Sequence, residues 1–296
     1  FNLIWASKGL EPGSGRFLHE VVEEELPGAT SIAALSGPSF ATEVARGLPT
    51  AVTIASQDTA YAQRVAELFH CAQFRAYTSD DVIGVELGGS VKNVLAIAAG
   101  ISDGLGYGSN ARAALITRGL AEIMRLGTRL GGRRETFMGL AGVGDLVLTC
   151  TDDQSRNRRL GLALGRGVPL AEAVEQIGQA VEGLHTAKEL DRLARRNEVD
   201  MPITEQVYLT LYEEKDPAFN VGVDRTRSGE YLLLEIESLT TSEVRFLPAG
   251  KPGDEWSFIA PRVPDQEYEV DQRGPDFFLR VNDTGRNFRL VRAPIA

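Results

Sequence analysis

Residues 85–100 read VELGGSVKNVLAIAAG: one cation, Lys92, inside a run that is otherwise small and apolar. The run opens a stretch, about Asp80 to Glu214, that reads as nearly all helix. Asn110 to Leu130, Pro169 to Gln176, His185 to Arg196 and Ile203 to Tyr212 each carry apolar residues three and four apart. A lysine in such a helix can pack its stem and carry its amine out to water. The neighbours suggest another use. Gly88-Gly89-Ser90 reads as a helix entry shaped for the close approach of another group, and Asn93 adds a second polar side chain. An amine desolvated there titrates lower than in water, because burial penalises the charged form, and becomes usable as a proton acceptor.

Upstream, from Asn2 to about Thr78, short strands alternate with helices. Leu3 to Ala6 and Thr50 to Ala55 read as buried strands, Phe40 to Gly47 and Asp58 to His70 as helices. That alternation predicts a parallel sheet with helices on its faces. Downstream of Lys215-Asp216-Pro217 come short strands at regular spacing: Tyr231 to Ile236, Val244 to Leu247, Trp256 to Ile259, Phe277 to Val281 and Phe288 to Val291, separated by glycine turns that include Thr284-Gly285. The chain thus divides into an α/β segment (1–79), an all-α segment (80–217) and an antiparallel β segment (218–296).

Composition narrows the partners. Of 296 residues 43% are hydrophobic, and a net charge of −10 opposes attraction to nucleic acid or an anionic membrane. No apolar run reaches the roughly 20 residues that span a bilayer. Cys71 and Cys150 lie far apart, and His19, His70 and His185 form no cluster, which predicts a reducing, cytoplasmic setting and no structural metal. Gly104-Leu105-Gly106-Tyr107-Gly108 and Gly142-Val143-Gly144 complete no dinucleotide fingerprint, and Gly9 to Arg16 lacks the ending of a P-loop.

Several long strings carry a resemblance: WASKGLE (5–11), SGPSFATE (36–43), LGGSVKNVLAIAAGISDG (87–104), NARAALITRGLAE (110–122), FMGLAGVGDLVLTCT (137–151), SRNRR (155–159), VEG (181–183) and MPIT (201–204). In this order they closely resemble the bacterial NAD(P)-dependent sn-glycerol-3-phosphate dehydrogenases, over about residues 1–217. The resemblance implies a partial Rossmann sheet and a helical substrate domain. It also implies hydride transfer between NAD or NADP and the glycerol 3-phosphate/dihydroxyacetone phosphate pair, as a source of glycerophospholipid precursors. Lys92 would be the general acid/base, Lys8 would polarise the substrate oxygen, and Asp145, with Thr149 at i+4, would orient Lys92. Asp145 also suits a helix cap, Lys8 an exposed turn, and the basic run 156–159 a solvated helix start. Under the resemblance Ser155, Arg156 and Asn157 take the phosphate, Gly37, Ser39 and Asn93 line the substrate site, and Ala41, Arg156, Ala180 and Glu182 touch cofactor. The family begins with further βαβ units ahead of this match, so the chain is expected to lack its pyrophosphate cradle, to leave a sheet edge unpaired and to bind cofactor weakly.

The tail has its own likeness. Residues 219–250, 260–262, 267–274 and 277–294 resemble about two blades of the β-propeller of oligopeptidase B, in the prolyl oligopeptidase family. No histidine follows His185 and no G-x-S-x-G elbow is present, so a peptidase triad cannot be built there. The seam, LYEEKDPAF at 211–219, suits either family, which leaves open a non-enzymatic chimera or a misassembled sequence. The open strand edges also leave homo-oligomer formation open.

Overall fold

The computed structural model describes residues 2–28, 31–211, 220–238, 241–250, 256–283 and 288–295. It forms two compact units, Phe1–Leu211 and Tyr212–Ala296. The α/β and helical segments therefore belong to one unit. All but Leu211 of the expected seam, the break at Lys215-Asp216-Pro217 with the 217/218 boundary, and the Thr284-Gly285 turn lie outside the described residues.

The first unit opens with β1 (Asn2–Trp5), α1 (Leu18–Glu25), β2 (Ser31–Ser36), α2 (Ala41–Ala45), β3 (Thr50–Ala55), α3 (Thr59–Phe69) and β4 (Phe74–Ser79). The strands form one sheet in that order. β1 runs parallel to β2 and β3 to β4, but β2 and β3 are antiparallel, which corrects the all-parallel expectation. The reason lies in the connection. The connection, residues 37–49, holds only the five-residue α2, which spans ~7.5 Å and does not carry the chain back along the ~20 Å of a six-residue strand as a full crossover helix would. α3 starts on an Asp58 cap that accepts from the Tyr61 amide at 2.9 Å, and it lays Tyr61, Ala62, Val65 and Ala66 on Ala33, Val52 and Ile54. Periodicity did not reveal α1, β2 or β4. β2 is alanine-rich without alternation, and β4 is an edge strand.

α4 (Val82–Gly104) is the axis of the helical part and is buried along nearly its whole length. Asp81 starts it: one carboxylate oxygen accepts from the Gly84 amide at 2.9 Å, the other from the Arg133 amide at 2.8 Å and the Thr136 hydroxyl at 2.6 Å. Gly88-Gly89-Ser90 is thus inside the helix, not at its entry. The close approach is real nonetheless, since a Cβ on Gly88 would stand 2.5 Å from the Ala141 carbonyl oxygen. By length and composition α4 could cross a membrane, yet 94% of its apolar window is buried within the protein. It is a core helix.

Around it stand α5 (Gly108–Arg129), α6 (Arg134–Phe137), a wide turn (Leu140–Gly144), α7 (Asp145–Thr151), α8 (Arg156–Gly165), α9 (Leu170–Ile177), α10 (Glu182–Arg196) and α11 (Pro202–Thr210). Leu87, Leu95 and Ile97 of α4 pack with Ile123, Phe137, Leu146, Leu160 and Leu190 in one continuous core.

The second unit is an antiparallel meander, as expected of propeller-like strands. β5 (Asn220–Arg225), β6 (Tyr231–Glu237), β7 (Ser242–Pro248) and β8 (Ser257–Ala260) make a four-stranded sheet, and β9 (Tyr268–Arg273), β10 (Asp276–Val281) and β11 (Arg289–Pro294) a three-stranded one. Tyr231, Phe246 and Phe277 meet edge to face with centroids 4.7 to 5.8 Å apart. The Tyr268 hydroxyl ties the sheets, accepting from the Val244 amide at 2.7 Å and donating to the Ala260 carbonyl at 2.6 Å.

Candidate active site

Two lysines share one carboxylate. The Lys92 amine, on α4, donates to Asp145 Oδ1 at 2.7 Å and to Thr149 Oγ1 at 3.0 Å, while the Lys8 amine, from the loop after β1, donates to Asp145 Oδ2 at 2.6 Å. Asp145 opens α7 directly after the wide turn, and Thr149 lies one turn on, its hydroxyl donating to the Asp145 carbonyl at 2.6 Å. The Lys92 amine is therefore buried, not carried to water. Burial pushes it down to about 8; Asp145 pulls the other way and the Lys8 charge adds to the lowering. Each ammonium has three N–H donors, and Lys92 spends two here. Lys8 spends its second on the Gly37 carbonyl at 3.2 Å. One N–H on each is left without a partner among these bonds.

The glycines around the array are there for space and backbone shape. Gly37 ends β2 with φ +146, where a Cβ would meet the Val52 Cα at 3.0 Å. Its carbonyl also accepts from Ser39 at 3.3 Å. Gly89 lets the Lys8 stem lie on α4, since a Cβ would come within 3.3 Å of Lys8 Cγ.

Asn93 leads to a second cluster. Its amide donates to Glu182 at 3.0 Å and its oxygen accepts from Asn157 Nδ2 at 3.0 Å; Asn157 Oδ1 accepts from the Gly183 amide at 2.9 Å. These bonds tie α4, α8 and the start of α10. Asn157, expected on the phosphate, is buried and engaged at both ends of its amide, with one N–H left over.

Ser155 caps α8, accepting from the Arg158 amide at 3.2 Å. Arg156, half-buried, makes no ion pair among the described residues and lines a cavity of about 750 Å³ with Phe40, Ala41, Thr42, Arg159 and Gln179, the acidic loop 152–154 at its rim. No described contact joins Arg156 to Lys92. Ala180 is exposed in the loop before α10. The basic run is not a uniformly solvated helix start: Arg158 is buried, with Nη1 on Asp103 at 2.6 Å and on the Cys150 carbonyl at 3.2 Å and Nε on Asp153 at 2.8 Å. Neither Arg158 nor Gly183 stands out in the sequence, because their partners lie on other helices.

The cavity wall of Phe40, Ala41 and Gln179 offers the apolar and amide groups against which a nicotinamide ring can pack, and the Arg156 guanidinium beside it suits an anionic group. Among the described residues no glycine-rich turn joins a strand to a helix in a form that would cradle a dinucleotide's pyrophosphate. The residues present fit one end of such a cofactor.

A Rossmann-like sheet leading into a helical segment is the architecture of nucleotide-dependent dehydrogenases. Residues 1–62 match the family model described as NAD-dependent glycerol-3-phosphate dehydrogenase N-terminus, and residues 81–221 the model of its C-terminus. The enzyme glycerol-3-phosphate dehydrogenase [NAD(P)+] of Thioalkalivibrio sulfidiphilus is 66% identical over 210 residues, 71% of this chain and 63% of that protein. That of Bartonella tribocorum is 57% identical over 231 residues, 77% of this chain and 69% of that protein. The crystal structure of glycerol-3-phosphate dehydrogenase from Coxiella burnetii superposes with a TM-score of 0.69 at 57% identity, covering 73% of this chain and 66% of that one. This chain belongs to the NAD(P)-dependent glycerol-3-phosphate dehydrogenase family. It spans 63% to 69% of the length of these curated relatives. Residues 199–296 match the model described as prolyl oligopeptidase, N-terminal beta-propeller domain, and the overlap of the two matches, 199–221, contains the expected seam.

Proposed function

We propose that the chain carries the substrate half of a glycerol-3-phosphate dehydrogenase site, acting on the glycerol 3-phosphate/dihydroxyacetone phosphate pair. The observation behind this reading is the buried Lys92 amine, lowered to about 8 and held between Asp145 and Thr149. At that value Lys92 passes between proton donor and acceptor near neutrality, as interconverting a ketone and an alcohol requires. In reduction, protonated Lys92 gives its proton to the carbonyl oxygen as the alcohol forms. In oxidation, neutral Lys92 takes it back. Lys8 brings a second amine to the same oxygen, and Asp145 keeps both amines in register. Arg156 clasps the phosphate, a role its free guanidinium suits. Ala41, Arg156 and Glu182 would hold the nicotinamide end of NAD or NADP, which supplies the hydride when bound.

The two free thiols, Cys71 and Cys150, suit a reducing compartment, and we place the protein in the cytoplasm, supplying glycerophospholipid precursors. The test is titration of the chain with dihydroxyacetone phosphate by calorimetry, together with dihydroxyacetone phosphate-dependent oxidation of NADH and NADPH. The expected result is binding lost on Arg156→Ala, and turnover that falls at least ~10³-fold in Lys92→Ala while binding is kept. A folded chain that binds no dihydroxyacetone phosphate overturns the reading. It would favour the second one, a non-enzymatic chimera, for which the separate propeller-model match over 199–296 speaks.

A further inference from the structure

Arg158 is an expensive residue to bury, and apolar side chains often replace buried ion pairs without loss of stability. Its guanidinium spans three elements: Asp103 in the last turn of α4, the Cys150 carbonyl at the end of α7, and Asp153 in the loop ahead of α8. Asp103 also receives an ion pair from Arg112 on α5, so the inner anchor is shared and fixed. The outer partner, Asp153, is 68% exposed and stands three residues before Arg156 at the rim of the same cavity. A carboxylate so placed is the natural competitor for the Arg156 guanidinium. It is instead taken by Arg158, and Arg156 is left without an ion pair among the described residues.

We propose that Arg158 is a positioning residue that holds Asp153 away from Arg156, keeping the Arg156 guanidinium free for the phosphate of a phosphomonoester. This rests on the reading of Arg156 as the phosphate contact. The role is electrostatic and local: Arg158 acts by occupying Asp153, one of the two carboxylates, with Asp152, that line the cavity beside Arg156. The same three-way grip sets the loop from which Ser155 caps α8, and so the direction in which Arg156 leaves the helix.

The experiment titrates the full chain with sn-glycerol 3-phosphate, with inorganic phosphate as a parallel probe. Arg158→Met should raise Kd for glycerol 3-phosphate by tenfold or more, and Asp153→Asn in that background should bring it back to within about twofold, because the released competitor is gone. A purely structural role predicts no rescue, so Arg158→Met weakening that Asp153→Asn leaves uncorrected overturns the proposal. Asp153→Asn alone removes the outer partner of Arg158, leaves Asp103 and the Cys150 carbonyl to hold it, and keeps the test open if Arg158→Met does not fold. It should leave Kd within about twofold, and a tenfold tightening would show Asp153 already competing with Arg156 and overturn the proposal. The underlying reading fails separately, if the unaltered chain binds neither probe or Arg156→Ala leaves binding unchanged.

Discussion

At the scale of single residues the protein turns on one carboxylate serving two amines. Lys92 alone in an apolar helix would be neutral and idle; Lys8 beside it would push the amine lower still. Asp145, bonded to both at 2.6 and 2.7 Å, keeps Lys92 within reach of neutral pH. The sign of the pH dependence follows. With Lys92 at about 8, the reduction of dihydroxyacetone phosphate should be full at lower pH and decline as pH rises through about 8, and oxidation of glycerol 3-phosphate should climb through the same point. Rate profiles measured in both directions should cross there; two profiles with the same slope would remove Lys92 from the chemistry. Asp145→Asn takes the counter-charge from the buried Lys92 and the partly buried Lys8, which should cost about 3–5 kcal/mol by denaturant unfolding. A loss under ~1 kcal/mol would mean that the amines find another counter-charge.

Between elements, the site depends on how closely α4 and α8 approach. Gly100 and Gly104 on one helix mesh with Gly161 and Gly165 on the other: a Cβ on Gly100 would stand 2.2 Å from the Arg158 carbonyl oxygen, and one on Gly161 2.1 Å from that of Ile97. Backbone meets backbone, so neither side can yield. This contact sets α8, with Arg156 and Asn157, against α4, with Lys92 and Asn93. Gly161→Ala should destabilise by about 1–3 kcal/mol or more through overpacking, and should weaken phosphoester binding by displacing Arg156. Gly139→Ala, where the nearest atoms are 3.4 Å away, should change the thermal midpoint little. Equal effects from the two would show that the helices separate at no cost. Gly104, in a string set aside in the sequence as a false dinucleotide fingerprint, thus belongs to a packing seam.

At the scale of the whole molecule, two units carry cores of their own: one around α4, the other around Tyr231, Phe246 and Phe277. Phe277→Ala should cost the second unit about 3–5 kcal/mol, and phosphoester binding by the first unit should be unchanged in calorimetric titration; lost binding would mean that the tail sustains the site. The helical segment, the meander and the residue types of the array could be read from the chain alone, because 3.6- and 2-residue periodicities and glycine turns are local signals. So could the candidate residues, through long strings that resemble one family. The mixed sheet could not, since strand direction depends on how the connector folds, and here it folds into one short helix instead of a full crossover. Nor could the state of the basic run. Arg156 and Arg158 are two letters of one cluster, and only the packing of α8 against α4 and α7 buries one on Asp103 and leaves the other facing a cavity. Charge is written in the sequence; which charges are desolvated, paired or free is settled by which helices come to lie beside them.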